Sequence, residues 1–200
     1  MENNQLVSNL KALGYTVSTF NSKEEVINYL RESLKETTIG FGGSMTAKEL
    51  NLYEELKVNN KTYWHWIKDD ELTPEEVDVK ENNSEIYICS ANAVSLNGEI
   101  VNIDGTGNRI ASSLYGHKKV IMIIGKNKIC ENLDKAISRA RNIAAPLNAK
   151  RLGKKVPCIF DMKCHDCKSS ERICRALSVF YRKPTGSDYE IILVDEELGY

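Results

Sequence analysis

The chain has 200 residues, 42% of them hydrophobic and 28% charged, with 27 basic against 28 acidic side chains and a net charge of -1. That composition supports one sizeable core. It carries neither the basic excess of a nucleic-acid binder nor the acidic run of a disordered tail. No apolar run reaches the roughly 18 residues that a membrane span needs. The polar start MENNQLVSNLKALGY lacks a signal-peptide core, so a cytoplasmic protein with reduced cysteines is expected.

In chain order, Leu6, Leu10 and Leu13 fall at helical spacing before Gly14, and YTVSTF (15–20) reads as a strand. Ser22 and Glu25 have capping-box spacing ahead of a helix whose apolar face is Val26, Ile27, Leu30 and Leu34. TTIGF (37–41) reads as a second strand that runs into GGSMTAKEL, with a helix over 46–57. The aromatic stretch YWHWI suits core packing. Thr73 and Pro74 then start a short helix. EIYICSA (85–91) is a buried strand, and AVSL-NG-EIVNI (93–103) is a hairpin by its Asn97-Gly98 turn. A short helix over 107–115 follows, then the continuous apolar strand KKVIMIIG (118–125). An amphipathic helix over 131–144 leads to a cysteine-rich loop and to strands near 176–182 and 189–195. Strands alternating with helices, with one inserted hairpin, predict a single α/β domain over 1–200: a mostly parallel sheet covered on both faces, a three-layer α/β/α arrangement.

Three stretches carry candidate chemistry. The first is Gly40-Phe41-Gly42-Gly43-Ser44-Met45-Thr46, a glycine turn between strand and helix. Gly42, Gly43, Ser44 and Thr46 there can offer backbone and hydroxyl donors to an anion; equally, Ser44 or Thr46 can simply cap the helix. The spacing is not that of a Walker loop.

The second is Asp104-Gly105-Thr106-Gly107-Asn108-Arg109-Ile110. Ile110 occupies the third small position of a dinucleotide fingerprint, which excludes that reading. Asp104, Gly105, Gly107, Asn108 and Arg109 remain as an anion-binding corner, with Arg109 able to hold a carboxylate or phosphate bidentately. Asp104 can act as a base, cap the next helix, or staple the corner by pairing with Arg109.

The third is the C-x5-C-x2-C-x6-C segment of Cys158, Cys164, Cys167 and Cys174. Four thiolates could hold zinc or an iron–sulfur cluster. The alternative is a reduced loop of packed or free thiols.

IGFGGSMTAKEL, SANAVSLNGEIVNIDGTGNRIASSLYGHKKVIMIIGKNKI and CHDCKSSERIC together resemble the lactate-utilisation (LUD) domain family. The resemblance implies a fold similar to that of sugar-phosphate isomerases and coenzyme A transferases. In those relatives the first glycine-rich turn helps hold an anionic substrate. It also implies an accessory part in L-lactate oxidation beside iron–sulfur redox partner proteins, with a small anionic metabolite as ligand. A second expectation is an isomerase or transferase acting on a phosphorylated or carboxylated metabolite, with Asp104 as base and His117 or Lys119 as acid; Glu85 and Glu99 are the candidate nucleophiles. A third is a redox protein built on the cysteines.

Overall fold

The computed structural model describes residues 4–200. In chain order its elements are α1 (Asn4–Ala12), β1 (Thr16–Phe20), α2 (Lys23–Ser33), β2 (Thr38–Phe41), α3 (Met45–Glu49), α4 (Leu52–Lys57), β3 (Lys61–Tyr63), α5 (Pro74–Asn82), β4 (Ile86–Cys89), β5 (Ala93–Ser95), β6 (Ile100–Asp104), α6 (Asn108–Leu114), β7 (Lys119–Gly125), β8 (Ile129–Cys130), α7 (Leu133–Arg139), α8 (Ala145–Arg151), α9 (Cys158–Asp161), β9 (Ala176–Phe180) and β10 (Asp188–Val194).

Six strands form an all-parallel sheet in the order β1-β10-β7-β4-β2-β3. The central strands are apolar on both faces, as a doubly covered sheet requires. Alternate residues feed two cores. Ile121, Ile123, Ile192 and Val194 pack with Val26 and Leu30 of α2, Leu52 and Leu56 of α4, and Trp64. Val120, Met122, Ile124, Ile191 and Leu193 pack with Leu6 and Leu10 of α1 and with Val94 and Ile100 of the hairpin. Both sets of β7 and β10 side chains are fully buried. The result is the expected three-layer α/β/α fold.

The hairpin is more than an insertion. β5 also pairs in parallel with β8, and β6 pairs antiparallel with β9, so a second sheet runs β8-β5-β6-β9. β8 has two residues and β3 three, too few for a period of two to show in sequence.

Two helices differ from their sequence reading. The one expected over 46–57 breaks at Asn51, whose φ of 50° lies in the left-handed region, which asparagine tolerates better than most side chains. The one expected over 131–144 continues through a π-helical turn at Ala140–Ala144 into α8. Pro146 does not stop it, because it sits in the first turn of the new segment.

One close approach sets the position of α5. A Cβ on Gly40 would lie 2.4 Å from the Glu81 carbonyl oxygen. Only a bare α-carbon in β2 lets α5 lie this close, and Glu81 is thereby brought to the sheet's carboxyl end.

Candidate functional site

The chain leaving β2 turns toward the edge strand β3, whereas the chain leaving β4 turns the other way, toward β7. Such divergence opens a crevice outside the carboxyl ends of parallel strands. A cavity of about 1150 Å³ lies there. Gly43 and Ser44 follow β2, Ser90 and Asn92 follow β4, and Lys128 follows β7; all line it. Asp104, Gly105, Asn108 and Arg109 face the same space, as do His65, Trp66, Asp78 and Glu81. Ser170–Ile173 and Arg175 of the cysteine-rich segment form part of its lining, and the Arg175 amide donates to the Asp104 carbonyl at 3.0 Å.

The two glycine-containing corners therefore converge on one cavity, although not through every residue. Ser44 caps α3, its hydroxyl accepting from the Ala47 amide at 3.1 Å. Thr46 is buried beneath the lining and accepts from Lys128. Gly42 faces inward, where a Cβ would lie 2.5 Å from the Tyr87 hydroxyl. Gly107 is the N-cap residue of α6 at a φ of 96°. Asp104 does not staple Arg109. Its carboxylate accepts from the Ile110 amide at 3.1 Å and so caps the start of α6.

Arg109 instead donates to four neutral oxygens: the Ser90 carbonyl at 3.1 Å, Asn102 Oδ1 at 2.6 Å, Asn92 Oδ1 at 3.1 Å and the Ile103 carbonyl at 2.7 Å. Asn102 is fully buried. Behind it, Arg139 donates to the carbonyls of Asn127 and Asn92.

Lys128 carried no sequence signal, because GKNKIC matches no motif. It is 2% exposed, and its Nζ lies 2.9 Å from both Thr46 Oγ1 and Ser90 Oγ. Burial, followed by the charges of Arg139 and Arg109, lowers its pKa to about 7. Among the described residues, none of the ion pairs includes Arg109, Arg139 or Lys128. Three cations are thus gathered with no paired carboxylate.

Acids lie elsewhere on the lining. His65 Nδ1 is 2.7 Å from Glu81 Oε2, and the His65 amide donates to the same oxygen at 3.0 Å. A carboxylate only accepts, so Nδ1 carries the proton. Burial opposes charge on the imidazole. The Glu81 hydrogen bond and the charges of Glu81, Asp78 and Asp104 outweigh it, and the His65 pKa is raised. Sequence gave no pointer to His65 within an aromatic run. Trp66 stacks on Trp64 with centroids 5.2 Å apart, and the Arg151 guanidinium lies 4.8 Å from its ring centroid.

The acid partners expected for Asp104 lie at the wrong end of the sheet. His117 precedes β7 and is buried with Nδ1 2.7 Å from the Ser84 carbonyl. Lys119 opens β7 and pairs with Glu190 at 2.7 Å. The expected nucleophiles are also misplaced: Glu85 pairs with Lys118 at that same end, and Glu99 hydrogen-bonds Ser95 in the hairpin.

Cys158, Cys164, Cys167 and Cys174 are partly buried free thiols. Tetrahedral zinc with bonds of about 2.3 Å needs sulfurs roughly 3.8 Å apart. Among the described residues, the donor atoms that lie within 4.8 Å of one another in a group of three or more are those of His65, Asp78 and Glu81. The thiols as placed do not fit a single-ion four-thiolate centre. Cys164 Sγ instead lies 3.4 Å from an Arg141 guanidinium nitrogen. Among the described residues, no helix is long and apolar enough to cross a membrane.

The fold and cavity define an α/β protein with a cation-rich crevice at the switch point of a parallel sheet. The LUD domain model matches residues 4–194, and the chain belongs to that family. A crystal structure of a DUF162 family protein from Deinococcus radiodurans is similar with a TM-score of 0.53 and 11% identity, over 95% of this chain and 94% of that one; at that identity the likeness concerns the fold alone. The eIF2B beta subunit from Chaetomium thermophilum aligns with a TM-score of 0.34 and 18% identity, over 66% of this chain and 44% of that one. No curated protein matches the chain.

Proposed function

We propose that this LUD-domain protein binds a small anionic metabolite in the cavity, as an accessory component of organic-acid (L-lactate) oxidation. Family membership supports the metabolic setting. One observation carries the anion: Arg109 and Lys128 line the cavity, with Arg139 behind them, while the hydrogen bonds of all three go to neutral oxygens. Buried charge is costly unless compensated, and a bound carboxylate would supply the missing countercharge. Ser44 uses one lone pair for the helix cap, which leaves its hydroxyl hydrogen for a ligand oxygen.

Thermal melting at constant ionic strength tests the reading. L-Lactate, pyruvate and phosphate are compared with chloride. A concentration-dependent rise in Tm with at least one of the first three is expected from linkage. No rise beyond that of chloride with any of them would remove the proposal.

A further inference from the structure

Lys128 lines the cavity with a buried amine. Its Nζ has two close partners, Thr46 Oγ1 and Ser90 Oγ, each at 2.9 Å. Each hydroxyl has a single hydrogen. Ser90 places its own 2.6 Å from the Ile123 carbonyl, and Thr46 has the Leu198 carbonyl at 3.3 Å. Both hydroxyl oxygens are therefore free to accept from Lys128. A neutral amine has two hydrogens and one lone pair. With both hydrogens donated, the lone pair of a neutral Lys128 takes the one remaining tetrahedral direction, and Lys128 is a lining residue of the cavity.

A guanidinium lies alongside: Arg109 gives its four Nη hydrogens to neutral oxygens and keeps its charge and its Nε hydrogen for a carboxylate. Arg109 Nη1 donates to the carbonyl of the same Ser90 whose hydroxyl accepts from Lys128. One residue thus carries both the guanidinium and the amine. A ligand bridging them would carry a carboxylate and, next to it, an electrophilic carbon.

We propose that Lys128 is a nucleophile whose amine condenses with the carbonyl carbon of a 2-oxo acid bound in this cavity. This rests on the anion site proposed above and names its substrate class. The nitrogen lone pair forms a bond to the carbonyl carbon as the C=O π pair moves onto oxygen. A proton passes from nitrogen to that oxygen, giving a carbinolamine. The hydroxyl group then leaves as water, taking the proton still on nitrogen, and the nitrogen lone pair forms the C=N bond. No oxidant or reductant is required. Desolvated lysines beside other cations are activated in this way, and the low pKa of Lys128, about 7, keeps amine available at neutral pH.

Reductive trapping tests it. The full chain is incubated with pyruvate and sodium cyanoborohydride, and in parallel with glyoxylate. The adduct is located by peptide mass mapping. At pH 7 the amine fraction of such a lysine exceeds that of an ordinary one by roughly a thousandfold. One adduct per chain, at Lys128, is the expected result. Its rate should rise with pH up to about 7 and then level, while background labelling of surface lysines keeps rising. Excess L-lactate, which has no carbonyl, should slow labelling by competition. The map of the unaltered protein decides, so the result does not depend on whether Lys128→Met folds. Pyruvate that raises Tm without an adduct at Lys128 would overturn the imine and leave the anion site standing. Labelling spread evenly over surface lysines would overturn it too. Neither an adduct nor a Tm rise would remove both proposals.

Discussion

Arg109 and Lys128 meet on Ser90. The guanidinium donates to its carbonyl at 3.1 Å, and the amine lies 2.9 Å from its hydroxyl. Ser90 follows β4 directly, at the point where the sheet's connections diverge, so the two groups are held by the scaffold rather than by a mobile loop. Their roles differ. Arg109 is a structural cation with four neutral partners, whereas Lys128 is a reactive group with two.

Arg109→Ala should therefore lower stability as well as ligand response. It removes the charged donor from the buried Asn102 Oδ1, which keeps only the Asn92 amide at 3.2 Å, and from Asn92 Oδ1, which keeps the Ile103 amide. A hydrogen bond from a charged donor contributes about 1.5–3 kcal/mol. Urea unfolding should show a loss of that order, and melting curves with pyruvate or L-lactate should show little rise in Tm. A variant as stable as the parent would mean that this network does not form in solution.

Lys128→Met should change the pH dependence of stability. The unfolded chain keeps the lysine proton up to its ordinary value near 10.5, while the folded chain gives it up at about 7. Between these values the unfolded state binds more protons, so stability rises with pH there by about 1.4 kcal/mol per unit. Below about 7 both states are protonated, and the cost of burying the charge is present in full. Parent and variant unfolded in urea at pH 7, 8 and 9 should diverge in that sense, the parent gaining on Lys128→Met as pH rises. Parallel curves would contradict a buried, depressed lysine.

Glu81→Gln should lower the His65 pKa. The glutamate's hydrogen bond and charge lead the effects that hold the imidazole above its ordinary value against burial. A raised folded value means that the pair's stabilisation is complete below the unfolded histidine pKa and fades as pH rises through the folded one. NMR titration of the His65 ring should give a midpoint above 6.5 in the parent and a lower one in the variant. Coincident midpoints would deny the pairing.

Much of the frame could be read from sequence, since period and length carry most of that information. β7 and β10 are apolar runs, and the Asn97-Gly98 turn announces its hairpin. Strands of two or three residues, such as β8 and β3, leave no such trace, so the second sheet was not legible. For the cavity, the two glycine-containing corners stood out because glycine and arginine at turns have few roles. Lys128 and His65 did not. A lysine in KNKI and a histidine between tryptophans take their character from burial and from partners 16 to 82 residues away in sequence. Asp104 and Arg109, close in sequence, looked like a pair but are turned to different partners by Asn92 and Asn102.

Ser44, Ser90 and Lys128 follow three strands, β2, β4 and β7, that lie side by side in the sheet although no two of them are consecutive in the chain. A ligand gripping all three would resist separation of the layer itself, not only loop fraying. Slowed deuterium uptake on binding should then reach the amides at the heart of β4 and β7, the last to open in any case, instead of stopping at the crevice mouth.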